Sequence, residues 1–141
     1  MPDFEIDSCL TENNFVLGEF DSSVVILMNN KVAPWFVLVP KVSNVSELYE
    51  LDSQMQASLM DEINRLSVFI KQQFVVDKLN VAAIGNIVKQ LHIHVIARTE
   101  DDYCWPGVVW GTDFSEQYLE EEVNELVSKM RNKLTGFSQK C

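Results

Sequence analysis

An α+β domain, with a five-stranded antiparallel sheet and two helices, is what the sequence predicts, and three observations predict it. Short apolar runs rich in β-branched residues recur between turn formers. Two longer stretches repeat their apolar residues every three or four positions. The connections between the runs are short, which favours antiparallel neighbours over crossovers.

"NFVLGEF" (14–20) and "SVVILM" (23–28) read as a hairpin joined through Asp21 and Ser22. "WFVLVPK" (35–41) is a third strand, and Pro40 marks its end or an edge because proline cannot donate to a ladder. The stretch 43–51 has room for one helical turn. Met55, Leu59, Ile63, Leu66, Ile70 and Phe74 form the stripe of a helix over about 52–74, with Ser53 and Gln56 placed as a capping box. Strands at 79–85 and 91–98 follow, joined by "GNIVKQ". A second helix is expected from about 114 to 134, capped by Asp113 and Glu116, with Val123, Val127 and Met130 on its apolar face. The tail "TGFSQKC" is expected to be loose.

A chain of 141 residues fits one domain, and no apolar run approaches the roughly 18 residues of a membrane span. No membrane partner is expected. The amino terminus "MPDFEIDSCL" lacks a basic region followed by an apolar core, so no secretory leader is expected and the cytoplasm is the default location. Cys9, Cys104 and Cys141 are odd in number and far apart, which predicts reduced thiols rather than a disulfide framework. A formal charge of −10 argues against polymeric nucleic acid, whose binding draws on clustered Lys and Arg.

Both histidines lie in "KQLHIHVIAR" (89–98). Strand alternation places Gln90, His92, His94, Ile96 and Arg98 on one face and Leu91, Ile93, Val95 and Ala97 on the other. A row of amide, two imidazoles and guanidinium, spaced about 7 Å per step, is costly to bury unless something polar meets it. Three readings stand at this point. The histidines line a solvated sheet face; or they begin a metal site, which Cys104, Asp101 or Asp102 would have to complete; or one imidazole attacks phosphorus while its neighbour, protonated, and Arg98 stabilise the phosphate oxygens.

The segment Gln90-Leu91-His92-Ile93-His94-Val95-Ile96 resembles the histidine triad signature, three histidines alternating with apolar residues, with glutamine in the first histidine slot. "WFVLVPK" resembles the strand that ends in Val-Pro-Lys in the same superfamily, and the order of strands and helix matches over roughly 10–100. With "WPGVVWG" downstream, the chain is most similar to bacterial members labelled as similar to diadenosine tetraphosphate hydrolases. The resemblance implies a histidine-triad (HIT) domain over 1–111, with 112–141 as a C-terminal helix and tail of the same domain, and a homodimer.

It further implies a metal-independent hydrolase or transferase that needs no cofactor and acts on the α-phosphate of a purine nucleotide derivative, a dinucleoside polyphosphate or a nucleoside phosphoramidate. His92 falls on the nucleophile and His94 on the residue nearest the leaving group. Gln90 stands where the first residue of the motif offers its main-chain carbonyl to the nucleophile's other ring nitrogen. Its side chain cannot take a positive charge, and Ile87 replaces a serine that meets phosphate in relatives. These two departures motivate the alternative of a nucleotide-binding or regulatory module with little turnover. Gly85 and Asn86 are the remaining phosphate-loop candidates, Asn29 and Asn30 the ribose candidates, and Arg98 a further nucleotide contact. Phe4, Phe15, Leu17 and Ile26 are candidates for an apolar base pocket. Trp105 and Trp110 are expected either in a partner's pocket or against the last helix.

Overall fold

Alternating side chains make the two faces of the sheet unlike, and each face is covered by a different part of the chain. The computed structural model describes residues 4–139, so Cys141 lies outside the described residues. A short helix α1 (Ser8–Thr11) leads into β1 (Phe15–Glu19), β2 (Ser23–Leu27) and β3 (Trp35–Pro40). A 3-10 turn at Leu48–Glu50 precedes α2 (Ser53–Gln73), followed by β4 (Lys78–Ala82), β5 (Ile93–Arg98) and α3 (Glu120–Lys133). The strand order is β1-β2-β3-β5-β4, antiparallel throughout, which is the α+β architecture the sequence predicts.

On one face, Leu17, Val25, Leu27, Phe36, Leu38, Ile93 and Val95 meet the apolar stripes of α2 and α3. Full burial of a side chain such as Leu66, Phe69 or Ile70 contributes about 1.5–3 kcal/mol, which is what holds α2 to the sheet. On the other face, Ile26, Trp35, Val37, Val39 and Ile96 are covered by no long helix. Phe4, Ile6 and Leu10 from the N-terminal segment and Val109, Trp110 and Phe114 from the segment after β5 cover them instead. Phe15 and Leu17 therefore belong to the helix-side core, and neither fits the base pocket expected of them.

Boundaries differ where tertiary contacts intervene. β5 starts at Ile93 rather than 91, because the Leu91 N–H donates to the Val45 carbonyl outside the ladder. α2 is capped by Asp52, whose carboxylate accepts from the Met55 N–H, while Gln56 donates its amide to the Leu51 carbonyl; Ser53 is already helical. α3 starts at Glu120, six residues later than expected, because the stretch before it is tied to the β2–β3 connection. The Lys31 N–H donates to the Glu116 carbonyl, and the Tyr118 N–H donates to Asn29 Oδ1. Asp113, the expected cap, accepts from the Tyr103 hydroxyl.

The tail is not loose up to Ser138. Phe137 packs edge-on against Phe20, and Ser138 exchanges both backbone hydrogen bonds with Glu19. A Cβ at Gly18 would overlap the Ser138 carbonyl and the Phe137 ring, so glycine there lets the tail close on β1. No described helix is long and apolar enough to cross a membrane.

Candidate active site

His94 lies opposite Val37 on β3, and His92 immediately precedes β5, so both imidazoles point to the face without long helices. Their ring centroids are 5.0 Å apart. Each ring is bound through Nδ1, to opposite effect. His92 Nδ1 is 2.7 Å from the Gln90 carbonyl oxygen. A carbonyl only accepts, so His92 carries its proton on Nδ1 and keeps a lone pair on Nε2. His94 Nδ1 accepts from the Trp35 indole N–H at 2.8 Å. An indole N–H only donates, so the lone pair of His94 is on Nδ1 and its proton is on Nε2.

The protonated neighbour expected for His92 is therefore not what the site holds. His94 is 5% exposed, and burial, with a smaller contribution from His92, pulls its pKa down to about 4. Near neutrality it is an uncharged N–H donor. Trp35 is the site residue that sequence reasoning missed. Alternation along "WFVLVPK" puts it on the site face, but only the β3–β5 register, which pairs Trp35 with Ile96, makes it the diagonal neighbour of His94.

Gln90 joins the site by its backbone rather than by its side chain. The side-chain amide is bound to the N-terminal segment: Gln90 Oε1 accepts from the Asp7 N–H at 2.7 Å, and Nε2 donates to the Glu5 carbonyl at 2.9 Å. A primary amide presents an N–H and its carbonyl oxygen on the same side, so it can meet the Glu5 carbonyl and the Asp7 N–H together, whereas the two nitrogens of an imidazole point away from each other. Glutamine at the first histidine slot thus suits a clasp on an extended backbone. Gln90→Glu would set an oxygen against the Glu5 carbonyl, and the expected result is about tenfold faster exchange of the Asp7 amide, read by hydrogen-exchange NMR. Unchanged protection would contradict the clasp.

Arg98 is not free to meet phosphate. It is 2% exposed; Nε and Nη2 pair with the two oxygens of Asp102 at 2.7 and 2.9 Å, Nη1 donates to Asn80 Oδ1, and Nη2 donates to the Gly107 carbonyl. Trp105 lies under its guanidinium. Arg98 holds the 99–107 loop against the sheet. Asn29 and Asn30 are likewise engaged: Asn29 Oδ1 accepts from Tyr118, and Asn30 donates to the Phe114 carbonyl and accepts from the Val32 N–H. Through these bonds both side chains anchor the segment before α3.

Gly85, with φ +71°, makes the turn after β4, and Asn86 follows it, exposed. Ile87, in the serine position, is 94% exposed, while Val88 anchors the loop in the site-face cluster. Among the described residues no group of three side chains fits a metal ion, and Asp102, one expected ligand, is bound to Arg98.

Trp110 covers His94. Its ring meets His94 edge to face at 5.1 Å and Trp35 at 5.7 Å, so it packs on its own chain's site face and not against the last helix. A ring nitrogen with an available lone pair beside a fixed N–H donor, in a low-dielectric setting, can add to an electrophilic phosphorus and stabilise the oxygen that departs.

The HIT domain family matches residues 11–101. A histidine triad protein from Marinobacter aquaeolei VT8 is 39% identical, with a TM-score of 0.90 over 97% of this chain and 100% of that one. One from Bradyrhizobium japonicum is 38% identical, with a TM-score of 0.90 over 94% of this chain and 99% of that one. One from Sinorhizobium meliloti 1021 is 37% identical, with a TM-score of 0.89 over 93% and 97%. Among curated proteins, none matches the chain.

Proposed function

The chain belongs to the HIT family, whose members are generally nucleotide-binding hydrolases or transferases, and from that membership we propose that it hydrolyses purine nucleotide derivatives at the α-phosphorus through a nucleotidyl-histidine intermediate. The observation that carries this reading is the opposite tautomers of His92 and His94. His92 Nε2 forms a bond to phosphorus as the bond to the leaving group breaks, and the positive charge that develops on the ring strengthens its Nδ1–H bond to the Gln90 carbonyl. His94 Nε2–H meets the oxygen on which negative charge collects. Water then attacks phosphorus, His92 leaves with its electron pair, and the nucleoside monophosphate is released with a proton.

The substrate class on this reading includes dinucleoside polyphosphates, with Gly85 and Asn86 beside the phosphates. On this reading Phe4 and Ile26, both in the site-face cluster, are the apolar candidates for contact with the base. A homodimer is part of the same proposal; β1 and β4 are the sheet edges, and Val81 is exposed on β4.

A second reading, binding without turnover, has one observation in its favour: the cover over both histidines, which are 6% and 5% exposed. Incubation with diadenosine polyphosphates after chelator treatment separates the two. Release of AMP, with an adenylyl adduct on His92 after rapid quenching, is expected. Nucleotide binding with neither product nor adduct would favour the binding module, and activity restored only by zinc would favour a metal enzyme.

A further inference from the structure

We infer that Trp35, by holding the Nδ1 lone pair of His94, restricts the site to substrates whose leaving group departs as an oxyanion, phosphoanhydrides rather than phosphoramidates. The inference rests on the nucleotidyl-transfer reading and deepens it.

The protons available on His94 decide which leaving groups it can assist. For His94 to protonate a leaving atom and remain neutral, it must begin as an imidazolium with protons on both nitrogens. The Trp35 N–H points at Nδ1 from 2.8 Å, so a proton there would face another proton and lose the bond. Burial of the ring opposes the same charge, and His92, 5.0 Å away and turning cationic as it attacks, opposes it further. The remaining proton, on Nε2, is not transferable, because its loss would leave an imidazolate. His94 can therefore donate a hydrogen bond but not a proton.

The two substrate classes differ on this point. In an anhydride the Pα–O bridge breaks and its electron pair leaves on a terminal phosphate oxygen, an anion stable near neutrality that needs only hydrogen-bond stabilisation. In an amidate the Pα–N bond breaks and the nitrogen must collect a proton to leave as an amine. With His94 locked, no described group of the pair supplies it. Trp35 touches neither phosphorus nor leaving group in this scheme; it is a positioning residue that acts through His94.

The test compares full-length wild type with Trp35→Phe, which keeps an aromatic ring at the position but removes the indole N–H with the rest of the five-membered ring; the leaving-group dependence and the His94 15N shifts separate loss of the hydrogen bond from loss of packing. Three readouts are taken: kcat/KM on diadenosine tetraphosphate and on adenosine 5′-phosphoramidate, the dependence of rate on leaving-group pKa across adenosine 5′-aryl phosphates, and the 15N shifts of the His94 ring. Wild type is expected to favour the anhydride by at least about a hundredfold, consistent with the usual contribution of general acid catalysis. In Trp35→Phe that preference is expected to shrink about tenfold, the leaving-group dependence to become shallower, and His94 Nδ1 to lose its pure acceptor signature.

Equal rates on both substrates in wild type would overturn the inference, as would an unchanged preference in a folded Trp35→Phe protein. Uniform slowing with the same leaving-group dependence would also overturn it, since that is the mark of a merely structural tryptophan. Absence of turnover on every substrate in wild type would instead sink the hydrolase reading, and this inference with it. Should Trp35→Phe fail to fold, the wild-type preference and the His94 15N shifts decide alone.

Discussion

His92→Asn is expected to abolish the proposed turnover while leaving the fold intact. Asparagine can still donate to the Gln90 carbonyl, the bond that now orients the ring, but it has no lone-pair nitrogen to attack phosphorus. The expected fall in kcat is at least about a thousandfold, the scale on which loss of a nucleophile is felt. The adenylyl adduct should vanish from the mass spectrum together with AMP release. Thermal unfolding should shift little, because the residue precedes β5 and contributes no apolar contact to the helix-side core. A variant that keeps its turnover would remove His92 from the chemistry.

The second large effect is on stability. Arg98→Met leaves the Asp102 carboxylate buried without its bidentate partner, and breaking a buried pair from one side typically costs about 3–5 kcal/mol. A methionine restores some packing volume beside Trp105 but none of the four hydrogen bonds. Denaturant titration at neutral pH measures the loss.

The pH dependence gives an independent check. In wild type, burial pushes the Asp102 carboxyl up, and the bonds from Arg98 and the Thr99 N–H more than offset it, so its pKa lies below the ordinary value. A depressed carboxyl contributes stability that is present above the unfolded pKa and lost as pH falls through the folded one. The gap between wild type and Arg98→Met should therefore narrow below about pH 4. A gap that stays constant down to pH 2 would show that Asp102 is not the charge involved. Because the same loop leads to Val109 and Trp110, the variant should also loosen the cover over the histidines, seen as faster exchange of the Gly107 to Trp110 amides.

Much of the fold was legible before any coordinates. The five strands follow from β-branched runs and turn residues, and the α2 stripe from Leu59 to Ile70 follows from helical period, because both patterns are local consequences of which side chains face water. The errors lie where a distant segment competes for backbone groups. Asn29 and Lys31 hold residues 116–118 extended and delay α3, Val45 takes the Leu91 N–H and shortens β5, and Glu19 captures Ser138. None of these partners is near in sequence, and no propensity encodes them.

The site divides in the same way. The alternation of "QLHIHVIAR" separates a core face from a histidine face, and the Gln90 carbonyl lies only two residues of backbone from the His92 ring it meets; both are local relations, and the alternation is what the sequence by itself determined. What only the tertiary structure decided is which polar groups of that face remain available. Arg98 is drawn into a pair with Asp102 and Asn80, the Gln90 amide into the N-terminal segment, and the tautomer of His94 is set by a tryptophan 59 positions away. A buried hydrogen-bonding group must find a partner wherever the chain brings one, so its role depends on register and packing rather than on its own neighbours in sequence.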